Sequence, residues 1–172
     1  MIREIRLYGD AVLRMKAEPI SDISDEVVRL AEDMVETMFV RKGIGLAAPQ
    51  VGESTSLAVV DLSLGDGKGR ALVFINPEII GQEGEWIYEE GCLSIPEVRA
   101  DVVRPKKVAV RFLDIDGNPN ELEAEDLLAR VILHEVDHLN GVLFVDRLPP
   151  LKRQILRPKL LKIAKGEIPP ER

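Results

Sequence analysis

The chain has one cysteine, two histidines and one tryptophan, and aromatic residues make up only 4% of it. A single thiol, Cys92, excludes an internal disulfide and suits a reducing compartment. One sulfur and two imidazoles are also too few to build a closed four-ligand Cys/His structural zinc site. Apolar runs fall far short of the roughly 20 residues that cross a bilayer. The start, Met1-Ile2-Arg3-Glu4-Ile5-Arg6, has no apolar signal region, so a cytoplasmic protein without membrane attachment is expected. A net charge of −7 argues against a nucleic-acid surface spread over the whole molecule, and no specific DNA binding is expected. No repeat, low-complexity stretch or obvious linker interrupts the 172 residues, so one domain spanning 1–172 is expected.

What is present is unevenly placed. Leu151 to Lys165 contains Lys152, Arg153, Arg157, Lys159, Lys162 and Lys165 and no acidic residue, and without those six charges the net charge of −7 becomes −13. Residues 151–172 therefore read as a basic C-terminal helix with a frayed end at Ile168-Pro169-Pro170-Glu171-Arg172. The helix should start after Pro149-Pro150 and bend at Pro158. Near the other end, an extended arm reaches Glu18-Pro19-Ile20. Ser24 then caps an amphipathic helix whose Val27, Leu30, Ala31, Met34, Val35, Met38 and Phe39 form a core face, ending near Lys42-Gly43.

Strands are expected at Leu57–Leu62, at Ala71–Ile75 (broken by Asn76-Pro77), and at Gly84–Tyr88, Val98–Val103 and Lys107–Leu113. A hairpin turn at Asp114–Asn118 returns through Asn120–Ala124. The absence of a βαβ rhythm predicts an α+β fold with antiparallel sheets packed around a central helix.

That central helix contains both histidines. In Leu133-His134-Glu135-Val136-Asp137-His138 the imidazoles stand at i and i+4, on one helical face, where they can share one metal ion. In zinc-dependent hydrolases with this motif the intervening glutamate handles protons. The competing reading is an ordinary helix with two histidines on it. Cys92, on a loop, would complete a three-ligand catalytic site, or else be an inert core thiol. Gly43-Ile44-Gly45-Leu46-Ala47-Ala48-Pro49-Gln50 lacks the Lys-Ser/Thr of a phosphate loop, and its small residues would let backbone approach a ligand closely.

Three phrases, Gly43 to Gln50, Glu90-Gly91-Cys92-Leu93-Ser94 and His134 to Gly141, resemble those of peptide deformylases and stand in that family's order. The resemblance implies an α+β enzyme that removes the formyl group from N-formylmethionyl nascent peptides with ferrous iron or a similar divalent ion, Zn2+, Ni2+ or Co2+ among them. It implies metal ligation by Cys92, His134 and His138, with Glu135 as general acid/base. Gln50 and the backbone N–H of Leu93 are implied to hold the carbonyl oxygen, and Gly45 to pair with the substrate backbone. Ile44, Leu127 and Val131 are expected to line an apolar pocket for the methionine side chain. Lys42 and Arg130 depart from the pattern, the second standing on the ligand helix where an apolar residue is expected. The basic helix is a candidate for docking on ribosomal RNA. Two other readings are a zinc peptidase, although no histidine follows His138 to serve as a downstream ligand, and a non-catalytic metal-binding, ribosome-associated module.

Overall fold

Ser24 accepts a hydrogen bond from the Val27 N–H and Asp25 and Glu26 fill the first turn, so α1 (Asp25–Val40) begins where its cap signals place it. Met34 and Met38 are fully buried, and Val27, Val35 and Phe39 pack on the same core cluster. The chain leaves α1 as Lys42 turns left-handed, with φ at 56°.

In the computed structural model, which describes residues 1–171, seven strands follow. They are β1 (Gly45–Ala47), β2 (Leu57–Asp61), β3 (Ala71–Glu83), β4 (Trp86–Cys92), β5 (Ile95–Arg104), β6 (Lys107–Leu113) and β7 (Pro119–Glu125). Five make one antiparallel sheet in the order β1-β2-β3-β6-β7, while β4 and β5 pair only with each other. Helix α2 (Asp126–Leu139) packs on β1, β2, β6 and β7 through Ala129, Val131, Ile132 and Leu133. Its other side meets the β4–β5 hairpin through hydrogen bonds from Arg130 and His134. This is the α+β arrangement the element pattern predicts.

Several boundaries differ for identifiable reasons. β3 does not break at Asn76-Pro77; the ladder to β6 shifts register between Ile75 and Glu78, and the bulge places the proline where no ladder N–H is needed. Asn76, at φ 50°, uses its side chain to accept from Ile20 N–H at 2.8 Å and donate to Ile20 C=O at 2.7 Å. Glu89–Pro96 is no open loop: Cys92 is the last residue of β4 and pairs with Ile95. The N-terminal arm contains a 3-10 turn, Ala11–Arg14, that buries Leu13 completely. Helix α3 (Pro150–Ala164) runs through Pro158 without interruption. Beyond it the chain does not trail: Ile168 packs on the core cluster under β5, and Glu171 Oε1 accepts from Glu97 N–H at 3.0 Å. Arg172 lies outside the described residues. Among those described, no helix is long and apolar enough to cross a membrane.

Candidate metal centre and cleft

Two elements that share no strand pairing meet at the three ligand candidates. β4 delivers Cys92 at its end, and the four-residue spacing on α2 stacks His134 and His138 on the face turned to that end. Cys92 Sγ lies 3.3 Å from His138 Nε2, and the two Nε2 atoms lie 3.2 Å apart. All three donor atoms fall within 4.8 Å of one another. A tetrahedral ion with ordinary metal–nitrogen and metal–sulfur lengths would set its nitrogens about 3.3 Å apart and sulfur from nitrogen about 3.6 Å. The observed separations are close to these edges, so the residues fit a divalent ion.

The ring orientations have a cause that sequence reading missed. Glu90 Oε1 accepts from His134 Nδ1 at 2.9 Å, which fixes the ring and leaves Nε2 facing the sulfur. Glu90 is itself gripped by Arg104, Nε to Oε2 at 2.6 Å and Nη2 to Oε1 at 3.0 Å. Burial alone would raise the Glu90 pKa, but the bonds from His134 and Arg104 prevail and bring it down to about 2. Arg104 also donates to Asp137 at 2.8 Å, and Asp137 takes Arg147 on its other oxygen at 2.7 Å. The signal available in the sequence was the paired Glu89-Glu90 two residues before the only cysteine.

For His134, burial works against charge, yet its bonds to Cys92 and Glu90 hold the pKa well above 6.5. His138, fully buried beside it, is pushed well below that value by burial and by the His134 charge.

Glu135 points to the opposite wall. It is only 4% exposed, and its Oε2 is buried with no hydrogen-bond partner among the described residues. Burial, helped by the charges of Glu90 and Asp137 and opposed by His134 and Arg104, raises its pKa to about 7. A buried carboxyl poised near neutrality is costly to keep and is typical of functional sites. Gly45 makes room for it: a Cβ there would stand 2.5 Å from Glu135 Oε1 and 2.8 Å from Val131 Cγ1.

Gln50, 2% exposed, is fixed by Ala47 N–H donating to Oε1 at 2.9 Å and by Nε2 donating to Ser94 Oγ at 3.2 Å. The same Nε2 lies 3.4 Å from Cys92 Sγ. A cleft of about 520 Å³ opens in front of these groups, and Cys92, Leu93, His134 and Glu135 all border it. Ile44, Gly45, Leu127 and Val131 line it too, whereas His138 lies behind, buried. Arg130 also borders the cleft, but its guanidinium turns to the hairpin backbone and to Glu90.

The family model described as polypeptide deformylase matches residues 2–154. A peptide deformylase of Acidobacterium capsulatum is 47% identical over 166 residues, covering 96% of this chain and 98% of that protein. The crystal structure of a peptide deformylase from Legionella pneumophila superposes with a TM-score of 0.89 at 46% identity, over 97% of this chain and 98% of that one. Another, from Synechococcus elongatus in complex with actinonin, gives 0.84 at 45% identity over 96% and 87%. Likeness at this level along nearly the whole chain, in backbone as well as sequence, makes this chain a member of the peptide deformylase family and an enzyme of that type.

Proposed function

We propose that the enzyme removes the formyl group from N-formylmethionyl nascent polypeptides, with Cys92, His134 and His138 holding one divalent metal ion. The observation that carries this is the convergence of one sulfur and two Nε2 atoms beside an unpartnered buried carboxylate on an open cleft. A bound ion, ferrous iron natively with Zn2+, Ni2+ or Co2+ as substitutes, supplies the Lewis acidity that makes water nucleophilic near neutral pH.

The chain's own residues do the rest. Glu135 Oε2, with no other partner among the described residues, takes a proton from the attacking water and returns it to the leaving amine nitrogen, a contribution of roughly 10²–10⁴-fold. The Gln50 amide and the Leu93 N–H donate to the oxygen of the formyl carbonyl as charge develops on it. β1, the edge strand of the five-stranded sheet, offers the backbone of Gly45 to an extended peptide, a strand-addition mode that fixes register without reading side chains. Ile44, Leu127 and Val131 receive the methionine side chain. The small residues of the Gly43–Gln50 stretch leave room near the metal for a formyl hydrogen and too little for an acetyl methyl.

Residues 1–172 act as one cytoplasmic catalytic unit, with the basic helix α3 docking on ribosomal RNA. The test is formate release from a formyl-Met peptide by protein prepared without oxygen, alongside metal analysis. One equivalent of ion, formate release, and its loss in Glu135→Gln are expected. Stoichiometric metal without formate would refute the reading.

A further inference from the structure

We propose that Arg130 is a positioning residue that sets the register of the Cys92 strand against the histidine helix, and so the span between the metal-ligating atoms. The inference rests on the three-ligand reading above. The β4–β5 hairpin shares no ladder with the main sheet; backbone bonds hold its base, where Lys106 N–H donates to Glu83 C=O and Asp126 N–H to Lys106 C=O, but Cys92 lies six residues beyond Trp86 at the far end, where side chains must set how it meets His134 and His138. Arg130 leaves α2 one turn before His134, is 2% exposed, and reaches into that hairpin. Its Nη2 donates to Trp86 C=O at 2.5 Å, and its Nη1 donates to Glu90 Oε2 at 2.5 Å and Val102 C=O at 2.9 Å, with Tyr88 C=O at 3.5 Å. Trp86 and Tyr88 also flank the guanidinium, their ring centroids 5.3 and 5.8 Å from Cζ.

On β4 these contacts fall at residues 86, 88 and 90, the last of them just before the register shift that separates Glu90 from Cys92. A slip of one residue would turn each of these groups away and take Cys92 off the shared centre. Arg104 is no substitute, because both its bonds to Glu90 lie within the hairpin and only the bond to Asp137 crosses to α2. The planar fork matters more than the charge, since one lysine nitrogen cannot reach carbonyls on two strands and a carboxylate together. A buried arginine whose Nε finds no partner among the described residues is costly, which argues for a use beyond stability.

The experiment compares Zn2+ affinity, by competition with a chromophoric chelator, and the thiolate-to-cobalt absorption of the Co2+ form in wild type, Arg130→Met and Arg130→Lys. Both variants are expected to bind Zn2+ about 10–100-fold more weakly, with a shifted, broadened cobalt band. Zn2+ affinity within twofold of wild type and an unchanged band, in either variant that folds, would overturn the proposal; if Arg130→Met does not fold, Arg130→Lys decides. A wild type that binds no stoichiometric Zn2+ would instead sink the three-ligand reading itself.

Discussion

Replacing Glu135 by glutamine should make the metal-free protein more stable while disabling it. The carboxyl is buried and its pKa rises from 4.5 to about 7 on folding, so between those values the native state holds a proton that the unfolded chain has released. Stability from this group is therefore full below pH 4.5, falls as pH rises through about 7, and stays low above it. At 1.36 kcal/mol per pKa unit the loss is about 3 kcal/mol at pH 8.5. At pH 5.5, one unit above the unfolded value, it is about 1.4 kcal/mol. Glutamine keeps the shape and removes the ionisation. For a chain of this length the pH 8.5 difference corresponds to a rise of about 6–12 °C in Tm, and at pH 5.5 to less than half of that. Thermal unfolding of metal-free wild type and Glu135→Gln at the two pH values measures it. A Tm gap independent of pH, or a variant less stable at pH 8.5, would refute the reasoning. The metal-free form is required because an ion beside the carboxylate would offset its desolvation.

Gly45→Ala would push a methyl to 2.5 Å from Glu135 Oε1, so both stability, by about 1–3 kcal/mol, and formate release should fall. Gln50→Ala should lower kcat by about 10²–10³, more than it affects folding. It should also cost about 1–3 kcal/mol, because the buried Ala47 N–H loses its acceptor; kcat and Tm measured on one preparation separate the two. Reversing the charges of Lys152, Arg153, Lys159 and Lys162 should abolish ribosome co-sedimentation at low salt and leave hydrolysis of a short peptide unchanged; unaltered co-sedimentation would exclude docking through α3. Formyl-Met peptides should be cleaved far faster than acetyl-Met ones, and equal rates would refute the tight fit proposed around the formyl group.

Local signals were enough for much of this fold. The Ser24 cap and the apolar spacing after it locate α1, and β6 spans Lys107–Leu113 as the alternation predicts. The i, i+4 histidines and the single thiol were legible because helical spacing and residue rarity are properties of the chain itself. What stayed hidden depends on partners distant in sequence. The continuation of β3 past Pro77 needs Ile20 to satisfy Asn76, a partner 56 residues away. Glu90 looks like any acidic strand residue until Arg104, Arg130 and His134 surround it. Gly45 is legible as a close-approach glycine, but only the folded chain reveals that Glu135 is what approaches.

The five-stranded sheet ends in two unpaired borders, which are open invitations for another chain to add a strand. Along β7 the border carries Glu121, Glu123 and Glu125, all exposed, with Arg111 and Lys107 of β6 pairing the first and last, so an incoming strand would meet charged side chains and not an apolar surface. The β1 border has no such charges, yet it is three residues long and recessed beside α2 and the cleft. In the proposed strand-addition mode it is long enough to grip the first residues of a peptide, while it is too short and enclosed to recruit a neighbouring molecule as a seed for aggregation.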